Sequence, residues 1–130
     1  MRRLLLALAL IPATAAADAP LSGAEFEALT TGRTLTYAEG GRVYGVEQYK
    51  PGRRVTWAFA EDDCREGHWY PAGEAICFVY DYDPVPQCWM FHRRAGGLFA
   101  RFLGDGPGTE LTVVSETTDP MLCPGPDVGA

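Results

Sequence analysis

The sequence predicts an all-β protein: an antiparallel meander closing into a small barrel of about eight strands, preceded by one short N-terminal helix. Three observations predict it. After Gly32, apolar residues recur with a period near two, in segments mostly of five to seven residues. These segments follow one another at spacings near ten and are parted by Gly, Pro and Asp turns. No segment carries the long helical pattern that parallel β–α–β units require.

The helix is expected over residues 22–31. Ser22-Gly23-Ala24-Glu25 has the spacing of a capping box, Phe26 and Leu29 lie three apart on one face, and Gly32 supplies a stop. Its apolar stripe is narrow, which suits a helix that plugs or flanks another element. The strands then follow in order: 33–37, Val43 to Tyr49, Val55 to Phe59, His68 to Tyr70, Ala75 to Tyr80, Gln87 to His92, Leu98 to Phe102 and Leu111 to Val114. Turns are expected at Glu39-Gly40-Gly41, Lys50-Pro51-Gly52, Pro71 to Glu74, Asp81 to Pro86, Gly96-Gly97 and Gly104 to Gly108. In the second strand Tyr44, Val46 and Gln48 share a face; in the third, Val55, Trp57 and Phe59 do. Gly45 and Gly67 fall inside strands, where glycine permits the sharp bends of a small barrel. Sequential strands on short turns pair as neighbours, and closure of an eight-strand meander removes its exposed edges. After about residue 119 the chain is rich in Pro and Gly and is expected to be irregular.

Residues 1–17 read as a secretory signal peptide: Arg2 and Arg3, an apolar run from Leu4 to Ile11, then small residues at Ala15-Ala16-Ala17. The run is too short to cross a bilayer, which takes about 20 residues. Cleavage after Ala17 leaves a single domain, 18–130, in the periplasm or secreted. That removes two Arg and no acid, so the net charge moves from −6 to −8. All three Trp, six Tyr and six Phe lie after the peptide. An acidic domain with scattered Arg has no basic face for nucleic acid and no basic amphipathic helix for a membrane surface. Any charged partner is expected to be basic.

Four cysteines remain: Cys64, Cys77, Cys88 and Cys123. An even number in an exported chain predicts two disulfides, and four cysteines permit three pairings. Cys77 and Cys88 lie on two strands joined by the Asp81–Pro86 turn, which sets them nearly opposite and favours a bridge between them. Cys64 is left for Cys123, tying the tail to the middle of the chain. No C-x₂-C pair supports a zinc site.

Signs of catalysis are sparse. The two serines, Ser22 and Ser115, lie outside any nucleophile-elbow motif, and His68 and His92 are the only histidines. The 104–108 loop lacks the Lys of a phosphate loop, and Glu61-Asp62-Asp63 reads as a solvated acidic run. Cys88, Met90 and His92 alternate along one strand, which makes Met90 and His92 weak candidates for a soft metal; packing accounts for them better. No cofactor is expected. The aromatic residues are more informative: Tyr44, Trp57, Phe59, Trp69, Phe78, Tyr80, Trp89 and Phe91 recur on successive strands, so an inward face makes the barrel interior aromatic, either packed solid or hollow enough for one small apolar ligand.

At Gly67-His68-Trp69, Gly73, Cys77-Phe78 and Cys88-Trp89 the chain resembles a class of small exported bacterial β-proteins of uncharacterised function, over about residues 33–103. The architecture is similar to the calycin group, of lipocalin and avidin type, and in class to the periplasmic lysozyme inhibitors. The resemblance implies the fold and a disulfide. The expected function is therefore an exported, non-enzymatic β-barrel that binds a small apolar ligand or a partner protein. The alternatives are an acidic inhibitor of a basic periplasmic enzyme and a small enzyme of unknown type.

Overall fold

The computed structural model describes residues 19–60, 62–104 and 108–123. The expected signal peptide, Glu61 of the acidic run, residues 105–107 of the expected 104–108 loop and the tail after Cys123 lie outside these residues. One helix, α1 (Gly23–Thr30), is followed by eight strands: β1 (Thr34–Glu39), β2 (Arg42–Lys50), β3 (Arg54–Phe59), β4 (Arg65–Ala72), β5 (Ala75–Tyr80), β6 (Asp83–Arg94), β7 (Gly97–Phe102) and β8 (Glu110–Thr117). Each strand pairs antiparallel with the next, and β8 returns to β1, closing the barrel. Closure leaves no edge strand available for edge-to-edge pairing.

The helix starts where the sequence places it. Ser22 accepts from the Glu25 backbone N–H at 3.1 Å, and the Glu25 carboxylate accepts from the Ser22 N–H at 3.2 Å, so two otherwise unpaired donors are satisfied reciprocally. The helix drops Phe26 into the end of the barrel, where it is fully buried. Its ring meets Trp69 and Tyr49 edge-on, with centroids at 5.0 and 5.5 Å, and Phe91 at 4.4 Å. The Leu21 N–H donates to the Phe91 carbonyl at 2.7 Å and ties the helix entry to β6. A helix this short is not stable by itself; the buried ring and the cap hold it.

Both disulfides form as expected. Cys77 faces Cys88 in the β5–β6 register, with Cα atoms 4.0 Å apart. Cys64 bonds Cys123 across 59 residues of sequence. The second bridge straps the irregular tail along the outer face of β1 and β2, where Thr34 donates its hydroxyl hydrogen to the Asp119 carbonyl at 2.7 Å and the Met121 N–H donates to the Gln48 side chain at 3.2 Å.

The structure corrects three expectations. The β5–β6 turn is only Asp81 and Tyr82, and β6 already begins at Asp83. Three residues, Pro84-Val85-Pro86, stand opposite the single Val79, so both prolines sit in a bulge where no ladder N–H is needed. The second correction concerns β2. Its buried positions are Gly45, Glu47 and Tyr49, whereas Val46 and Gln48 face the tail strap. Tyr44 still points inward because the β1–β2 register shifts there: Tyr37 pairs with Gly45 but Ala38 with Val43, leaving Tyr44 as the extra residue. The third is the reason for the strand glycines. A Cβ at Gly45 would collide with the Trp57 indole, and one at Gly67 would lie 2.7 Å from the Tyr80 ring. These positions make room for interior rings, a tighter requirement than a backbone bend.

Candidate functional site

Alternation along the strands sends every second side chain inward, and most of those here are aromatic. The barrel interior is filled by them at one end and opens at the other. The filled end lies under α1 and the β2–β3, β4–β5 and β6–β7 turns. The open end carries the β1–β2 and β5–β6 turns and the facing ends of β3, β4, β7 and β8. A cavity enters there, with walls that include Tyr44, Glu47, Trp57, Phe59, Tyr80 and Trp89. Its accessible volume is about 30 Å³, enough for one or two waters or the tip of a slender group.

Seven of the eight aromatic residues expected to line the interior, Tyr44, Trp57, Phe59, Phe78, Tyr80, Trp89 and Phe91, border this cavity. Trp69 does not: it is buried under Phe26 at the closed end, with the Arg53 guanidinium 4.9 Å from its ring. At the mouth Tyr44, Trp57 and Phe59 form a trio with centroids 5.3 to 5.9 Å apart. Trp89 packs on Phe102, its partner on the neighbouring strand β7, at 5.0 Å. Tyr82 stacks on Tyr80 and extends the aromatic wall outward.

The cavity floor is polar, which the sequence reading did not anticipate. Glu47 is 2% exposed and lies directly across from Trp57 in the β2–β3 ladder. The Tyr80 hydroxyl donates to its carboxyl group, at 2.9 Å to the nearer oxygen. Beside it the Tyr37 and Tyr49 hydroxyls share a 2.7 Å hydrogen bond. Among the described residues no Lys, Arg or His forms an ion pair with Glu47. Burial pushes the Glu47 carboxyl well above the usual range and outweighs the Tyr80 hydrogen bond, which acts in the opposite direction. Burial likewise raises the Tyr80, Tyr49 and Tyr37 phenols, so these remain hydroxyl donors. A carboxyl group without a countercharge at the end of an aromatic cleft is where perturbed acids gather when a site does chemistry or binding.

Glu47 was hidden in the sequence by parity. Its strand reads equally well with the other face inward, and only the bulge at Tyr44 brings Tyr44 and Glu47 to the same side. The alternation of Gly45, Glu47 and Tyr49 was the available signal.

Charge is also divided between the two ends. The connections at the mouth carry Glu39, Asp62, Asp63, Asp81, Asp83 and Glu110, against Arg42, Arg65 and Arg101 near the same strand ends. The closed end carries Arg33, Lys50, Arg53, Arg54, Arg93 and Arg94, against Glu25, Glu27, Glu74 and Glu116, the last paired with Arg33. The acidic excess is therefore at the opening. The mouth also bears exposed apolar residues: Val43, Phe59, Tyr82, Val85 and Leu103 are 38 to 63% exposed.

The metal candidates sit elsewhere. Met90 and His92 point away from the cavity: the Arg101 guanidinium lies 4.0 Å from the Met90 sulfur, and the His92 ring packs beside Phe99. Cys88 is consumed by its bridge, and Cys123, the neighbour of Met121 in the tail, is bridged to Cys64. Among the described residues no three His, Cys, Asp or Glu side chains converge.

Fold and site together define a closed, eight-stranded antiparallel barrel, disulfide-bonded, plugged at one end and open through an aromatic mouth at the other. Comparison with protein families, with curated proteins and with solved structures finds no match.

Proposed function

We propose that this protein is an exported binding protein that acts without catalysis and takes its ligand at the open mouth of the barrel. One observation carries the reading: the aromatic interior is sealed by Phe26 at one end and left accessible at the other, where Tyr44, Trp57 and Phe59 stand around the entrance. A core whose only task is stability gains nothing from leaving large rings wet, since exposed apolar patches mark interaction sites. The two disulfides support folding in an oxidising compartment. Among the described residues no helix is long and apolar enough to cross a membrane. A cavity of about 30 Å³ excludes a bulky ligand swallowed whole and favours a slender group that enters tip first, with the rest of the ligand resting on the rim.

The test is native mass spectrometry of protein recovered from the periplasm, combined with indole fluorescence during ligand titration. A retained small molecule whose loss shifts the Trp57 or Trp89 emission is the expected result. An empty protein whose emission answers no apolar or amphiphilic probe would overturn the reading.

A second reading rests on the acidic mouth and its apolar rim: association with a basic protein, in the manner of an inhibitor of a basic periplasmic enzyme. Charge steers such encounters, so binding to a basic lysozyme should weaken as salt rises. The absence of any salt-sensitive complex removes it.

A further inference from the structure

Glu47 has no role in the packing that a neutral residue would not fill more cheaply. Burying an acid without a countercharge is costly, and barrels of this size are ordinarily lined with apolar side chains. Here the acid is kept at the base of the one cleft that reaches solvent through aromatic walls, with a single hydrogen-bond donor, Tyr80, among the described residues.

Three independent features describe the group that would complete this site. The carboxyl group lacks a cation. The ring trio Tyr44, Trp57 and Phe59 borders the same cleft, and aromatic faces attract cations, most of all when water is excluded. Outside them, the β3–β4 and β5–β6 connections place Asp62, Asp63, Asp81 and Asp83 at the entrance, where they draw positive charge inward. The cleft is also narrow, which excludes a trimethylated head group and admits a slender one.

We propose that the mouth of the barrel binds a primary ammonium group on an unbranched alkyl chain, with Glu47 as its counter-ion and the rings of Tyr44, Trp57 and Phe59 around its stem. The inference rests on the mouth being the binding surface and names the chemistry that surface selects. The ammonium enters charged. Glu47 gives up its proton to solvent as the ion pair forms, so one proton is released per ligand bound wherever the free protein holds Glu47 neutral. The other titratable groups facing it are hydroxyls: Tyr37 from β1, Tyr44 and Tyr49 from β2 and Tyr80 from β5. The linings from β3, β6, β7 and β8 are uncharged. Glu47 is therefore the group whose titration governs binding below the pH at which the amine itself deprotonates.

The experiment titrates the whole mature protein with n-hexylammonium, hexan-1-ol and Nα-acetyl-lysine amide, reading indole fluorescence and heat from pH 5 to pH 8. Hexylammonium is expected to bind at least tenfold more tightly than hexanol, to tighten by up to tenfold per pH unit, and to lose both properties in Glu47→Gln. Binding of the lysine amide at similar strength identifies the source as a protein lysine; binding of hexylammonium alone identifies a free amine. If hexanol binds as well as hexylammonium, or the ammonium preference persists in Glu47→Gln, the ammonium assignment fails while the mouth remains the binding surface. If no probe changes the wild-type signals, both fail together. The pH dependence of the wild type decides the matter even if the variant does not fold.

Discussion

At the closed end of the barrel, Phe26, Tyr49, Trp69 and Phe91 meet ring to ring and exclude water; at the open end, Tyr44, Trp57 and Phe59 meet ring to ring beside the entrance, with Phe59 exposed, Tyr44 half-buried and Trp57 buried behind them. The two clusters are built from the same residue types and share β2; the closed one also draws on α1, β4 and β6, the open one on β3. They differ most in two things: one helix, whose single buried phenylalanine seals its end, and one acid, Glu47, which lies on β2 three residues from its sealed-end terminus Lys50 and faces the cleft from its floor. Aromatic content alone therefore does not separate a core from a site. The presence of a cover and of an uncompensated polar group does.

This contrast can be tested from both ends. Phe26→Ala removes the plug and leaves a void among Tyr49, Trp69 and Phe91; a loss of about 3–5 kcal/mol is expected in denaturant melts. A loss below about 1 kcal/mol would mean the helix is not what seals the barrel. Replacing Cys64 and Cys123 together by Ala frees the tail from the mouth-side loop. Removal of a bridge closing so long a loop is expected to cost about 2–4 kcal/mol, read as the fall in melting temperature.

Glu47→Gln sharpens the comparison through pH. Because burial raises the folded-state value, the folded protein holds the Glu47 proton more tightly than the unfolded chain does. The stability from this group is fully present below the ordinary carboxyl value of about 4.3 and is lost as pH rises through the folded value. Wild-type stability is thus expected to fall relative to Glu47→Gln by up to about 1.4 kcal/mol per pH unit between the ordinary carboxyl value and the raised folded one, with the two curves running parallel below the ordinary value. Curves parallel from pH 4 to pH 8 would show Glu47 ionised in the fold. The smallest stability effect belongs to Phe59→Ala. Phe59 is 38% exposed, so its loss should change stability by about 1 kcal/mol or less while it removes part of the ligand response. The same substitution at Phe26 and at Phe59 thus separates packing from binding.

Much of the fold was legible before any coordinate. The capping box at Ser22 and Glu25, the order of the eight strands and the Cys77–Cys88 pairing follow from local rules: side-chain oxygens that satisfy free N–H groups, a period of two, and short turns that make sequential strands neighbours; Cys64–Cys123 then follows by elimination. Strand ends were less legible. His68–Tyr70 extends in both directions to Arg65–Ala72, because pairing with β3 and β5 carries residues that have no intrinsic preference for strand. The site was legible in its aromatic residues and illegible in its acid.

The residue pattern by itself determined that this chain forms an all-β meander with inward rings and a Cys77–Cys88 bridge, since those outcomes depend on neighbours close in sequence or on strands joined by short turns; the Cys64–Cys123 bridge followed only by elimination. Tertiary structure alone decided which end is sealed and which face of β2 looks inward. A bulge of one residue at Tyr44 reverses parity along a strand, and the strap of residues 118–123 covers the outer face, so both faces of β2 are partly buried and hydropathy cannot choose between them. Glu47 is buried because its strand turns that way, and its chemistry follows from where closure of the barrel leaves it.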